Sequence, residues 1–149
     1  MFRIGMVVSG LLALLALLVY TDVYLRARSA YYKAEKYYYY STHPEQMRED
    51  LKREFQSRRE KLETRFRRGK LSQQEYELEQ VVLEGEYKRR IEESAIKNAL
   101  VWYETVVNLF SPPRTRWVKE AEKKIPQCRA EWKAELRTKG IPVEDYITD

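Results

Sequence analysis

Few residues in this chain have side chains that could carry out chemistry. Cys128 is the only cysteine and His43 the only histidine among the 149 residues. One chain can therefore form neither an internal disulfide nor a histidine-based metal site or catalytic triad. The carboxylates Glu92 and Glu93 stand in mixed-charge sequence, where adjacent helical residues point to different sides. Without a glycine-rich phosphate loop or metal-ligand spacing, the sequence predicts a protein that is not an enzyme and uses no cofactor or metal.

The basic residues offer a different chemistry, the binding of phosphate groups. The net charge is +5, and the stretch 48–70 is locally basic. Its cationic side chains are Arg48, Lys52, Arg53, Arg58, Arg59, Arg65, Arg67, Arg68 and Lys70. Acidic residues alternate with them and cancel much of the field, which argues against nucleic acid as a partner. A basic helical domain that binds anionic lipid or nucleic acid at a membrane surface is kept as the alternative function.

The apolar run from Ile4 to Tyr20 is the element around which the rest of the chain is arranged. As a helix the run covers about 25 Å, and continuation to Leu25 brings it to about 33 Å, enough to cross a hydrocarbon core of roughly 30 Å. Asp22 then lies at the interface, level with an aromatic belt. The side chains expected to hold this helix in the bilayer are Ile4, Leu11, Leu14, Leu18, Tyr20 and Tyr24.

Two interpretations of this N-terminal segment compete, since the rest of the chain is too charged to enclose it as a buried core helix. A cleaved signal peptide would end at the pattern Ala27-Arg28-Ser29, but the charge-free run is longer than the usual signal core, which favours an uncleaved single-pass anchor in the inner, or cytoplasmic, membrane. Its orientation is open. By the positive-inside rule, the basic residues beyond the run place the larger part in the cytoplasm; they are Arg26, Arg28, Lys33 and Lys36. A short N-terminal tail with Arg3 is instead typical of a signal anchor that exports the rest of the chain. We take the second, a periplasmic domain.

Composition and punctuation divide the chain into four segments: a transmembrane anchor (1–25), a tyrosine-rich helical neck (26–41), a helical domain (42–140) and a polar tail (141–149). Within the neck, Tyr24, Tyr31 and Tyr38 recur every seven residues and lie along one stripe. High charge and low β-branched content favour helices throughout. The predicted fold class is all-α, with one transmembrane helix followed by a small antiparallel helical domain.

Capping signals divide the helical domain. A capping box at Thr42-His43-Pro44-Glu45 predicts a helix from His43 to about Arg68, which Gly69 ends. A second box at Ser72-Gln73-Gln74-Glu75 begins a helix that the apolar period extends from Gln73 to Phe110. The short connection between these two helices predicts an antiparallel hairpin.

The C-terminal part of the domain is punctuated by prolines. Pro112 and Pro113 end the long helix, because two adjacent prolines remove backbone donors and restrict the residue before them. Thr115 is expected to cap a last helix, kinked at Pro126, that ends before Gly140. Its apolar face is formed by Val118, Ala121, Ile125, Cys128, Trp132 and Leu136.

The segment from Ala99 to Ala121 resembles a tetratricopeptide-type helical repeat. The resemblance rests on Ala99, Tyr103, Val106, Phe110, Ser111-Pro112-Pro113, Trp117 and Ala121, a pattern of small residues, groove-filling aromatics and a proline turn. No second copy lies near a 34-residue spacing, and the Leu-Gly pair of the family's first helix is missing. Because a stack ordinarily needs at least three repeats, the resemblance implies a solitary unit whose open face requires another surface.

An anchor, a small helical domain and an excess of aromatic residues together predict a non-enzymatic scaffold or accessory subunit. Its partners would be proteins of a membrane complex, in a bacterial cell envelope, together with the lipid bilayer, and a homo-oligomer is compatible with the same features. Large aromatic side chains carry much of the energy of interfaces. The residues predicted to bind a partner are Tyr31, Tyr38, Trp102, Trp117 and Trp132. Trp102 and Trp117 are expected on the flank of the hairpin, beside its core stripe.

Overall fold

The computed structural model of the protein describes residues 2–142, with side chains described from Gly10 onward. This part of the chain forms helices and no strand, as predicted. The five helices are α1 (Phe2–Thr42), α2 (Pro44–Arg67), α3 (Gln73–Glu92), α4 (Ala95–Leu109) and α5 (Arg116–Thr138). The side chain of Ile4, predicted to be part of the anchor, and most of the predicted tail lie outside the described residues.

α1 carries the apolar run and the tyrosine-rich neck in one uninterrupted helix of 41 residues. The capping box predicted at Thr42 is wrong. Thr42 is the last residue of α1, and its hydroxyl donates a hydrogen bond to the Tyr39 carbonyl at 2.9 Å. The position before α2 is His43, which makes no capping bond with its side chain. Pro44 forces the break, because it cannot donate the next helical hydrogen bond.

The contacts divide the chain into two compact units, one formed by α1 up to Tyr38 together with the chain from Ile96 onward, the other by Tyr39–Ala95. The second unit contains α2 and α3. Gly69 has φ 67°, as expected for a helix end that requires the left-handed region. Ser72 and Glu75 form the reciprocal capping box that starts α3.

Ring stacking and ion pairs hold α2 against α3. Phe55 stacks on Tyr87, with ring centroids 4.6 Å apart, and Phe66 stacks on Tyr76 at 4.4 Å. As residue number rises along α2, the number of the stacking partner falls along α3. The buried hydrophobic residues of this unit are Tyr40, Met47, Leu51, Leu62 and Leu83.

The single helix predicted from Gln73 to Phe110 is wrong. α3 ends at Glu92, and Glu93 adopts an extended conformation with φ −63° and ψ 138°. Ser94 then precedes α4, in the position where a serine favours the start of a helix over its continuation. The negative charges of Glu92 and Glu93 are also more favourable near the positive N-terminal end of the α4 dipole than at the negative C-terminal end of α3. The apolar period continues across this break, so periodicity alone did not reveal it.

The first unit packs α1, α4 and α5 around one hydrophobic core. Buried residues come from all three helices: Ala27, Ala30, Ala34, Ile96, Ala99, Leu100, Tyr103, Val106, Trp117, Val118, Ala121 and Cys128. Thr115 caps α5 as predicted, because its side chain accepts a hydrogen bond from the Val118 backbone. α5 continues through Pro126 and ends before Gly140, which has φ 68°.

Candidate functional site

The N-terminal part of α1 presents apolar side chains on every side. Leu11, Leu14, Leu18 and Tyr20 are all more than half exposed, and the neighbouring leucines are equally uncovered. A helix that is apolar all round and covered by nothing in its own chain is suited to lipid. α1 is, among the described residues, the one helix long and apolar enough to cross a membrane.

The exposed surface of α1 changes abruptly after Leu25. Asp22 forms an ion pair with Arg26 at 2.8 Å, one helical turn later, which offsets the charge of the carboxylate where the apolar stretch ends. Ala27 is then completely buried. Tyr24, predicted to contact lipid, is half-buried and packs against the core of the first unit. The helix therefore passes from an uncovered apolar surface to a packed one within a few residues.

Three alanines of α1 form the seam along which α4 and α5 approach. Ala27, Ala30 and Ala34 are each 4% exposed or less. Small side chains at spacings of three and four allow helices to pack closely. The tyrosine stripe was evident from the sequence, but the alanine stripe beside it was not predicted, although the same helical spacing was available as a signal.

Tyr103 of α4 is the buried polar centre of this unit. Its hydroxyl donates a hydrogen bond of 2.6 Å to the Glu35 carboxylate of α1. Burial, followed by the bond to Glu35, raises the pKa of Tyr103 above its usual range. The hydroxyl therefore stays protonated and acts as a fixed cross-link between α1 and α4.

Trp117 belongs to the core, contrary to its predicted place on the flank. It is 6% exposed, and its ring centroid lies 5.4 Å from that of Tyr31 and 5.3 Å from that of Tyr32. Capping by Thr115 fixes the first turn of α5, and this turn directs Trp117 toward α1. The Arg116 guanidinium covers the ring at 4.0 Å. A partner could reach this tryptophan only by opening the unit.

Each of the other predicted partner-binding residues is only partly buried in this unit. Trp102 and Trp132 are half-buried, with the ammonium groups of Lys33 and Lys97 over their rings at 4.5 and 5.8 Å. Tyr38 is tied down, since its hydroxyl donates to Glu131 at 3.2 Å and accepts from Gln127 at 2.7 Å. Tyr31 lies between Tyr103 and Trp117. These contacts explain the tyrosine stripe by packing within the chain.

The outer face of α4 carries two exposed apolar side chains that sequence reasoning missed. Val101 is 47% exposed and Leu109 is 71% exposed, two helical turns apart. On the side toward α1 this face is bordered by Trp102, whose ring lies under the ammonium group of Lys33 from α1. On the side toward α5 it is bordered by Trp132 of that helix, whose ring lies under the ammonium group of Lys97 from α4. Thr105 lies between Val101 and Leu109 on the helix, so this face offers two separate apolar side chains flanked by half-buried tryptophans.

The basic residues of α2 are largely engaged by carboxylates. Arg58 contacts Glu86 and Arg65 contacts Glu79 across the hairpin, at 2.7 and 2.8 Å. Within α2 itself the pairs are Arg48 with Glu45, Arg53 with Asp50, and Arg67 with Glu63. These pairs reduce the field available to a phosphate, as the alternation of charge predicts.

The residues with reactive side chains are not assembled into a site. Cys128 is fully buried, and burial raises the pKa of its thiol to about 11. His43 stacks on Tyr39 at 4.1 Å between ring centroids. Within residues 2–142 no three histidine, cysteine, aspartate or glutamate side chains come together as metal ligands would.

No protein-family model matches this chain, and neither does any curated protein or solved structure.

Proposed function

We propose that this protein is a non-enzymatic, single-pass membrane scaffold or accessory subunit that binds another protein of a cell-envelope complex. The continuity of α1 carries this proposal. The same helix contributes the uncovered apolar stretch and the alanine seam of the first unit. A partner bound to this unit is therefore held at a set distance from the bilayer, which is what a membrane scaffold must achieve.

The partner-binding surface that we propose is the outer face of α4. Val101 and Leu109 supply the exposed apolar area, and Trp102 and Trp132 supply aromatic anchors at its edges. Lysines lie over both tryptophan rings, so a partner with apolar side chains ringed by carboxylates fits it best. This face replaces Trp117 and Tyr31 as the expected point of contact.

The resemblance to a tetratricopeptide repeat supports the same assignment. We take α4 and α5 as its antiparallel helix pair, with the proline turn between them. Ala99, Ala121 and Tyr103 are all completely buried in one core, as small and aromatic residues are in such repeats. A solitary unit of this kind leaves one helical face open, and here that face is the outer side of α4.

A photo-activated cross-linker placed in living cells tests this proposal. With the reactive side chain at Val101, we expect a covalent product with one membrane protein, and Trp102→Ala should reduce its yield at least tenfold. The matched control carries the cross-linker at Ser57, on the exposed side of α2, and should give no such product. The same product from both positions, or none from Val101, would contradict the assignment.

The surface of α1 just beyond the apolar stretch favours a second candidate function, the binding of anionic lipid headgroups. Arg28, Ser29, Lys33 and Lys36 line a shallow depression together with Leu25 and Tyr32. Basic side chains so close to a membrane each contribute about 1 kcal/mol of attraction to an anionic surface. Binding of the detergent-free chain to liposomes with and without anionic lipid, compared with Lys33→Gln/Lys36→Gln, measures this contribution.

A further inference from the structure

Two arginines from different helices meet at one pair of aromatic rings. Arg28 of α1 lies over the ring of Tyr32 at 5.7 Å, and Arg116 of α5 lies over the ring of Trp117 at 4.0 Å. The centroids of the two rings are 5.3 Å apart. The fold of the first unit therefore brings together two cations, the arginine pair, from distant parts of the sequence.

The donors of the arginine pair are not used by the chain. A guanidinium can rest on a ring by its face and still present the N–H groups at its edge. Among the described residues neither arginine forms an ion pair with a carboxylate. By contrast Arg114, in the same loop as Arg116, contacts Glu122 at 2.5 Å. Glu120, one turn along α5, contacts Lys123 instead of Arg116.

The contacts between α5 and α1 show which end of α5 is nearer the apolar stretch. At the start of α5, Trp117 packs on Tyr32. Farther along α5, Gln127 donates a hydrogen bond to Tyr38, which is farther from the apolar stretch. The first turn of α5 and Arg116 therefore lie on the membrane side of this unit. The positive end of the helix dipole lies there as well, which favours an anion.

The arginine pair also lies close to the depth of the lipid headgroups. With the span ending at Leu25, Arg28 is about 4.5 Å beyond the hydrocarbon core and Tyr32 about 10 Å beyond it. Headgroups occupy roughly 5 to 7 Å on each side of that core. The side chains of a helix lean toward its N-terminus. Both α1 and α5 therefore direct their arginines toward the headgroup layer.

One buried donor beside the arginine pair has no acceptor. Trp117 Nε1 is shielded from solvent and has no hydrogen-bond partner among the described residues. Buried N–H groups are ordinarily satisfied, so this one indicates an acceptor that the chain does not supply. Arg116 rests on the same tryptophan. The missing acceptor and the unpaired guanidinium therefore belong to one neighbourhood.

We propose that the arginine pair binds the phosphate of one anionic phospholipid, whose acyl chains follow the exposed apolar surface of α1. This rests on the second candidate function and replaces a general attraction with a defined site. Guanidinium groups bind phosphate oxygens in pairs through their forked donors. Leu25 lines the same depression as Arg28, so the site opens toward the apolar stretch. That continuity favours a lipid over a soluble phosphate ester.

Native mass spectrometry of the full chain tests this site. The chain is equilibrated in detergent with equal amounts of phosphatidylglycerol and phosphatidylcholine, and the lipids that remain bound after release of the detergent are counted. We expect one retained phosphatidylglycerol, preferred at least tenfold over phosphatidylcholine. Arg28→Gln and Arg116→Gln should each lower this retention at least tenfold. Arg114→Gln is the matched control and should retain as much lipid as the native chain.

A double variant distinguishes one shared phosphate from two separate charges. With both arginines on one phosphate, Arg28→Gln/Arg116→Gln should retain about as much lipid as either single variant, since each single change already disrupts the site. Independent surface charges would give the product of the two losses, which would overturn the shared site. Arg116→Lys keeps the charge but loses the fork, so it should unfold like the native chain and still retain less lipid. Native retention by Arg116→Lys would mean that charge alone suffices, contrary to the proposal.

Failure of this site can be told apart from failure of the general binding. If Lys33→Gln/Lys36→Gln weakens binding to anionic liposomes while neither arginine variant lowers retention, headgroup attraction stands and the arginine pair holds no lipid. A native chain that does not prefer anionic liposomes contradicts both. Displacement of the lipid by an equal concentration of glycerol 3-phosphate, which has no acyl chains, would assign the site to a soluble phosphate ester and overturn the lipid assignment.

Discussion

Two tryptophans that look alike in the sequence have different environments in the fold. Trp117 and Trp102 each stand beside a core residue of a helix, yet Trp117 is buried and Trp102 is half-buried. The helical period of a single element places a side chain relative to its own neighbours but cannot show which helices lie alongside. α1 covers the side of α5 that contains Trp117, and that contact involves distant parts of the chain.

Truncation separates the structural tryptophan from the proposed binding one. Trp117→Ala should lower the free energy of unfolding by about 3 to 5 kcal/mol, because it leaves a cavity beneath Tyr31 and Tyr32. Trp102→Ala should cost less, about 1 kcal/mol, since its side chain is only partly buried. Denaturant unfolding of the full chain in detergent, followed by circular dichroism, measures both. Equal losses would mean that the two tryptophans contribute equally to the core.

Stability should fall at alkaline pH because of Cys128. Burial raises the pKa of its thiol from 9.0 to about 11, so the folded state holds the proton more tightly than the unfolded state. The stabilisation is complete below about pH 9 and is lost as the pH rises through 11. The loss amounts to at most about 3 kcal/mol by linkage.

Cys128→Ala is the control for this effect. It removes the titrating group, so its free energy of unfolding should vary less between pH 9 and 11 than that of the native chain. Tyr103, whose pKa is also raised, lowers the stability of both proteins alike once its hydroxyl ionises in the unfolded state, above about pH 10. Parallel pH profiles for the two proteins would show that the thiol does not contribute.

At the scale of the elements, residues that act on their own backbone were predictable and contacts between helices were not. Gly69, the Ser72 box and Thr115 each determine a helix end through local geometry, and each behaves as the sequence predicts. The burial of the alanine seam depends on how helices meet, whereas the break at Glu93 has a local signal in Ser94 that the continuing apolar period hid. Thr42 shows the limit of local signals, because continuation of α1 overrode its predicted cap.

Two glycines of the hairpin unit should respond in opposite ways to an added side chain. Gly69 has φ 67°, so Gly69→Val should destabilise the unit by roughly 1 to 2 kcal/mol, since β-branched residues avoid the left-handed region. Gly85 lies inside α3 with open space around it. Gly85→Ala should therefore stabilise the unit by about 1 kcal/mol. Thermal unfolding in detergent compares them, and an unchanged melting temperature for Gly69→Val would contradict its assignment.

For the molecule as a whole, two rules based on charged residues predict opposite orientations in the membrane. Arg26 and Arg28 come directly after the apolar stretch, which by the positive-inside rule favours a cytoplasmic domain. The proposed export of the domain requires that the short N-terminal tail with Arg3 determine the insertion instead. In the fold Arg26 is paired with Asp22, but acidic residues contribute little to this rule. The orientation therefore has to be measured directly.

Cysteine labelling can determine the orientation only if a cysteine is introduced at a new, exposed position. Cys128 has no exposed surface and a raised pKa, so it should react slowly with a maleimide in intact cells and in lysate alike. Ser57 lies on the exposed side of α2, and Ser57→Cys adds a reactive thiol there. If the domain is periplasmic, a membrane-impermeant maleimide labels Ser57→Cys in cells whose inner membrane is intact, while the native chain stays unlabelled. Labelling of Ser57→Cys only after lysis would place the domain in the cytoplasm and assign the insertion to the arginines just beyond the apolar stretch.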